Sequence, residues 1–275
     1  MSSLVIMIIF IISILLAIPV SISLGIASVL PGAFDPSFTA SGQFVIRSMV
    51  GGIDSFPLIA VPMFVLSGII MARGGISEKI FDVFSLLFGR FPAGIPCSVV
   101  ATCMFFGAIS GSGPATVAAV GSMTIPVLTA LGYDRKFSTA IVAVAGGIGV
   151  IIPPSIPFIM YAMASGQSVS SLFIAGIMPG LLISLLLMIY CILYCIRNGE
   201  DRTLIDKRIQ ELHDRGISSV ITDSLSALMA PVIVLGCIYA GITSPTEAAV
   251  ISVFYSVAVS MLIYRSLRVS DMKEI

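Results

Sequence analysis

The sequence predicts an all-α polytopic membrane protein with a re-entrant helical hairpin and broken helices. Three observations predict it. Apolar residues make up 57% of the 275 residues and charged residues 10%, against about 45–50% and about 25% in soluble domains. The mean hydropathy is +1.12. No charged residue occurs from Phe91 to Tyr133, nor from Phe137 to Ile196. A bilayer span needs about 20 apolar residues, so each stretch holds two or more helical elements. Both stretches are interrupted by clusters of glycine, serine and proline. A soluble globule of this size has too little interior to hide so much apolar surface. A soluble enzyme, a nucleic-acid binder and a disordered chain are thereby excluded. The continuous apolar runs also exclude the in–out alternation of β-barrel strands.

The elements follow in order. Met1–Leu30 is apolar throughout, with Pro19 inside it, and reads as one long tilted span or two short ones. It has no basic leading region and no clear small-residue cleavage site, so it reads as a retained segment rather than a signal peptide. Pro31–Asp54 reads as a polar connection and Phe56–Met71 as a short span. Ile76–Phe91 sets Ile76, Ile80, Val83, Phe84, Leu87 and Phe88 at helical spacing with charges between, the pattern of an amphipathic helix lying at the interface. Cys97–Ile109 and Ala115–Ile125 flank Ser110–Pro114. Apolar arms of about 10–14 residues suit a re-entrant hairpin. Phe137–Ser165 is broken at Gly146–Pro157, Leu172–Ile196 is an uninterrupted span, and Arg197–Asp223 reads as a charged loop. Ser224–Ala240 and Pro245–Tyr264 are two more spans.

The formal net charge is zero, but its distribution gives an orientation. Arg90, Arg135 with Lys136, the basic residues of 197–215, and Arg265 with Arg268 all fall on one side of this topology, the cytoplasmic side by the positive-inside rule. Cys97, Cys103, Cys191, Cys195 and Cys237 lie in apolar stretches without metal-ligand spacing and read as small buried hydrophobes. Leu16–Leu30 and Ala240–Val257 echo each other weakly as helix, break, small-residue helix. Inverted repeats of that kind are a transporter feature.

Three places carry candidate chemistry. Gly107–Ser122 places Ser110, Gly111, Ser112, Gly113 and Pro114, followed by Thr116, at membrane depth. Irregular backbone there must be buried in protein or face a watery cavity. The first arm would offer carbonyls to a cation, and the second N–H groups to a carboxylate. The plainer alternative is a tight helix–helix turn. Gly146–Pro157 places Gly147, Gly149, Pro153, Pro154 and Ser155 in a second break, either a binding site near the midplane or a kink that shapes packing. Glu247, in Ser244-Pro245-Thr246-Glu247, is an acid within an apolar region, and the spacing favours a capping box over a functional carboxylate. His213 sits among charged residues and reads as solvated. A serine protease would need a general base near the Gly-Ser run, and neither charge-free stretch supplies one.

In the order GAISGSGPATVAAVGSMTIP, GGIGVIIPPSIPFIMYA and GITSPTEAAV, these motifs resemble the large DctM-type membrane subunit of tripartite ATP-independent periplasmic (TRAP) transporters. The resemblance runs from Leu4 to about Arg268. It implies an inverted-repeat, elevator-type transporter that takes up organic acids such as C4-dicarboxylates or acidic sugars, driven by sodium, in the bacterial inner membrane. It implies no enzyme activity and no cofactor beyond Na+ as coupling ion. It implies as partners a small DctQ-type membrane subunit and a periplasmic substrate-binding protein. Transferred residue by residue, the substrate and ion site falls on Ser110–Pro114 with Thr116 and on Gly147–Ser155. Sodium prefers oxygen ligands, which Ser110, Ser112 and Gly149 can supply. The expected division is scaffold helices and the amphipathic helix in 1–92, half of a transport domain in 93–165, a span and charged loop in 166–223, and the opening helices of a second repeat in 224–275. The family continues into a second hairpin, so the second repeat is expected to be incomplete here. The alternative reading is a truncated, non-transporting remnant that packs with partner subunits. A channel is a weaker third option.

Overall fold

The computed structural model describes residues 3–34, 42–214, 216–268 and 270–271, and every regular element among them is helical. The chain forms two compact units, residues 1–55 and 56–275. The first contains α1 (Ser3–Leu15), α2 (Val20–Phe34) and α3 (Gly42–Ile53). The apolar N-terminal stretch is therefore two helices. They part just before Pro19, where Ala17 takes a left-handed φ of +58°. The connection expected over Pro31–Asp54 is corrected at both ends. Pro31 lies inside α2, and Gly42–Ile53 is helical. Phe44, Ile46, Met49, Val50 and Ile53 supply enough apolar helix-compatible sequence to outweigh the flanking glycines. The rest of that connection, 35–41, lies outside the described residues.

The second unit opens with a 3-10 turn at Phe56–Ile59, then α4 (Ala60–Arg73) and α5 (Ile76–Phe88). Next come the paired arms α6 (Gly94–Ser110) and α7 (Gly113–Ala130), both longer than their uninterrupted apolar cores. The arm α8 (Arg135–Gly146) leads through a 3-10 turn at Gly147–Val150 to α9 (Ile156–Ser165). The long α10 (Val169–Asn198) follows, then α11 (Arg202–Asp214), α12 (Ile217–Tyr239) and α13 (Pro245–Ala258), which runs on into a π turn at Val259–Ile263. At about 1.5 Å per residue, the 30 residues of α10 reach about 45 Å, beyond the roughly 30 Å hydrocarbon core. Among the described residues, five segments are long and apolar enough to cross a membrane: Phe56–Arg73, Gly113–Ala130, Val169–Asn198, Ser219–Tyr239 and Pro245–Ile263.

The expected loop over Arg197–Asp223 is a second correction. Most of it is helical, as α11 and the start of α12. Its charges conceal an apolar stripe of Ile205, Ile209 and Leu212, all buried. That i, i+4, i+7 spacing is a helix face, and α11 lies against α5 and α12. Arg208 pairs with Asp82 of α5 at 3.4 Å. His213 is exposed, as expected, while Arg215 lies outside the described residues. The expected capping box is present. The Ser244 N–H donates to Glu247 at 2.7 Å, and the Glu247 N–H donates to the Ser244 hydroxyl at 3.3 Å. The five cysteines are free thiols, four of them buried.

Helix α6 is the centre of this unit. It packs against α4, α5, α7, α8, α10 and α12 and is buried on nearly all sides. A helix without charge and apolar all round belongs in a core. Two of its hydroxyls turn back onto their own helix, Ser98 to the Gly94 carbonyl at 2.8 Å and Thr102 to the Ser98 carbonyl at 2.7 Å. Helices α4 and α13 make the other tight interface. The Ser67 and Ser256 hydroxyls meet at 2.8 Å across it, and small residues let the two backbones approach.

At the end of α4, a Cβ on Gly74 would lie 2.3 Å from Ser260 Oγ and 2.9 Å from the Ile70 carbonyl. Gly74→Ala is expected to destabilise the protein by about 1–3 kcal/mol through overpacking. Ser260→Gly in the same chain recovers part of that loss, because it removes one of the two clashing neighbours. Thermal unfolding in detergent measures both.

Candidate functional site

The two Gly/Pro-rich breaks meet in space. Helix α6 stops at Gly111, whose φ of +62° is left-handed. Its N–H donates back to the Gly107 carbonyl at 2.8 Å, the arrangement that glycine permits at a helix C-terminus. One residue on, Ser112 is extended and caps α7, its hydroxyl accepting from the Ala115 N–H at 3.5 Å. Pro114 occupies the first turn, where its missing N–H costs nothing. The arms thus reverse over two residues, Gly111 and Ser112.

The second break is built alike. Helix α8 gives way to the 3-10 turn and then to Pro153-Pro154, joined by a cis peptide bond. Ser155 restarts the helix as cap of α9, accepting from the Phe158 N–H at 3.4 Å. The Gly111 carbonyl, freed at the end of α6, accepts the Ile156 N–H at the start of α9 at 3.2 Å. The orphan acceptor of one helix end is satisfied by the orphan donor of another.

Close backbone approach makes this possible. A Cβ on Gly107 would lie 2.2 Å from the Gly149 Cα, and one on Gly149 would lie 2.8 Å from Thr116 Oγ1. A Cβ on Gly111 would meet the Pro154 carbonyl at 2.9 Å. Gly113 faces Val150 and the Gly146 carbonyl. The hairpin tip and the second break are therefore one packed unit.

Within it sits a cluster of oxygens. The Ser110 and Thr116 hydroxyls are 3.1 Å apart. The Thr116 hydroxyl donates to the Ser112 carbonyl at 2.8 Å, and the Ser110 hydroxyl reaches the same carbonyl at 3.4 Å. Ser110 and Thr116 are buried. The carbonyl end of α6 and the N–H end of α7 put partial charges of opposite sign beside these oxygens. A hard cation fits this donor set if the hydroxyls turn their lone pairs from one another toward the ion.

The residues singled out from the sequence divide into two groups. Ser110, Gly111, Ser112, Gly113, Thr116, Gly149 and Pro154 come together at the junction. Pro114 is exposed at its rim. Ser155 is buried, and its hydroxyl donates to the Val150 carbonyl at 2.5 Å within its own break. Gly147 has open space where a Cβ would go, and Pro153 is buried beside its cis partner. One neighbour escaped the sequence reading. A Cβ on Gly68 of α4 would lie 2.8 Å from that of Ser110. Only the Ser67-Gly68 pair inside an apolar span could have signalled it.

The comparisons with known proteins agree in one direction. The family model described as the DctM component of the tripartite ATP-independent periplasmic transporter matches residues 7–275. The chain is 40% identical over 262 residues to an isethionate TRAP transporter permease protein, DctMQ, of Oleidesulfovibrio alaskensis, covering 94% of this chain and 40% of that protein. It is 39% identical over 262 residues to the ectoine TRAP transporter large permease protein TeaC of Halomonas elongata, covering 94% and 59%. It is 32% identical over 289 residues to the C4-dicarboxylate TRAP transporter large permease protein DctM of Rhodobacter capsulatus, covering 100% and 64%. The chain thus spans 40% to 64% of the length of these relatives.

The glycine contacts give a graded expectation. Gly107→Ala and Gly149→Ala each push the two breaks apart and are expected to destabilise by about 1–3 kcal/mol. Together they are non-additive, because they disturb one contact. Gly147→Ala, in right-handed helical conformation with open space beside it, is neutral or stabilising by about 0.5–1 kcal/mol. Thermal unfolding of the four variants tests the order.

Proposed function

The chain belongs to the DctM family of tripartite ATP-independent periplasmic transporter components, and on that premise we propose that it is the large membrane subunit of a sodium-coupled organic-acid importer. The observation that carries this reading is the junction of the two helix breaks, closed by the bond from the Ile156 N–H to the Gly111 carbonyl. Secondary transporters place ion and substrate sites at such paired discontinuous helices. Ser110, Thr116 and the Ser112 carbonyl form the ion-facing oxygens, with the Gly149 backbone beside them. The substrate carboxylate meets the N-terminal end of α7, next to the bound ion. Each charge then favours the other's binding, which couples the two fluxes.

The absence of charged side chains from this region follows from the same chemistry. A fixed carboxylate at membrane depth would cost several kcal/mol in the empty carrier, whereas hydroxyls and helix ends stabilise charge only when it arrives. The junction travels as part of a transport body in an elevator cycle, in the bacterial inner membrane. A small DctQ-type subunit and a periplasmic binding protein complete the system. The relatives' names support the partner and a small organic acid as substrate. They are named for isethionate, as a DctMQ protein, for ectoine and for C4-dicarboxylates.

Ser112→Leu in the full-length protein is expected to abolish sodium-dependent uptake while leaving membrane insertion intact. Thr116→Ala, which keeps the helix and removes one oxygen, is expected to raise the sodium concentration for half-maximal uptake about tenfold, the effect of losing about 1.4 kcal/mol of binding. Wild-type uptake and sodium dependence in both variants would remove the hairpin tip from the ion site.

A further inference from the structure

The segment joining α10 to α11 carries a carboxylate that the transport site does not use. The Glu200 side chain is only 6% exposed. Its Oε1 accepts the Ala93 N–H at 3.0 Å and the Tyr133 hydroxyl at 2.7 Å. Its Oε2 pairs with the Arg202 guanidinium at 3.0 Å. The Cys195 thiol is a further neighbour. Ala93 immediately precedes α6, and Tyr133 lies between α7 and α8. One carboxylate therefore holds the feet of both arms of the hairpin.

Neighbouring features point the same way. Arg202 also donates to the Phe91 carbonyl at 3.3 Å, a second tie to the foot of α6. Ala93 has a φ of +57° and is fully buried. A residue with a Cβ seldom takes that conformation, and the bond to Glu200 holds its N–H in place. Burial, and then the Glu200 carboxylate, push the Tyr133 phenol well above its ordinary range, so it remains a proton donor. Here a buried charge is satisfied only when both arm feet and the α11 arginine are in register, and a partly satisfied buried network is costly.

We propose that Glu200 is a positioning residue for transport, locking the base of the α6–α7 hairpin to the α10–α11 junction so that the two move as one body. The arms do not part at their feet during the cycle, and any opening of the site occurs at the tip or against α4. This inference rests on the transport reading above.

The test uses the full-length protein reconstituted with its partner subunits, in a transporting parent whose five native cysteines are replaced by alanine, carrying Tyr133→Cys and Glu200→Cys together. Without a linker, sodium-dependent uptake falls about tenfold or more, because nothing then ties the foot of the hairpin to the α10–α11 junction. Joining the two thiols with a short bis-maleimide restores most of it. Each single cysteine variant, which reacts at one end only, stays impaired. Two outcomes overturn the proposal: unlinked protein that transports at the wild-type rate, or a linker that restores thermal stability but leaves uptake lost. If the double variant does not accumulate in the membrane, Tyr133→Phe and Glu200→Gln take its place. Each is expected to slow uptake about threefold, and wild-type rates in both overturn the assignment. Failure of the transport reading looks different, since the wild-type protein itself would show no sodium-dependent uptake.

Discussion

A peptide group at membrane depth has no water to bond, so each N–H and C=O released where a helix stops must find a partner inside the protein. The bond between the Gly111 carbonyl and the Ile156 N–H is where this chain meets that requirement for two helices at once. Much of the second unit is arranged so that this bond can form. The bond needs α6 and the Gly147–Val150 turn in backbone contact, which requires glycine at 107 and 149. It needs α7 to depart sharply, which requires the left-handed Gly111 and the cap at Ser112. Beside it, Gly68 lets α4 lie directly against Ser110 at the end of α6.

The same constraint explains the distribution of polar residues. Hydroxyls are the polar side chains that tolerate this environment best, because each can return a hydrogen bond to its own helix. Ser98, Thr102, Thr124 and Ser184 do so onto carbonyls four residues back. Ser110 and Thr116 also bond each other and a cap carbonyl. That leaves lone pairs grouped at a helix end, where two helix dipoles terminate. Under the proposed function, a packing device and an ion-binding surface use the same atoms.

Charge appears where elements leave the apolar region, and there it fastens structure. Glu200 gathers the hairpin feet, Arg208 pairs with Asp82, and Lys79 approaches Asp223 at 3.8 Å. The last pair is largely exposed, with side chains 40% and 54% accessible, and contributes little to stability. The Glu200 carboxylate is buried with Ala93 and Tyr133, so its removal leaves their N–H and O–H without that partner.

The all-helical membrane class, both breaks and the Ser244–Glu247 cap are legible in the amino-acid sequence, because these follow from local chemistry. Composition selects lipid as solvent, glycine and proline stop helices, and a serine three residues before a glutamate closes a box. Residues 31–34, 42–53 and most of 197–223 are helical against expectation, because Gly, Pro and charge mask their apolar period. Ile205, Ile209 and Leu212 form a helix face only because α5 and α12 are there to receive them. Tertiary structure alone decided that the two breaks meet, that Gly107 faces Gly149 while Gly147 faces open space, and that Glu200 reaches Ala93 and Tyr133. Those are contacts between residues far apart in the chain. Local propensity carries no information about which distant backbone will arrive, and only the packed arrangement of α6 among its neighbours brings these groups together.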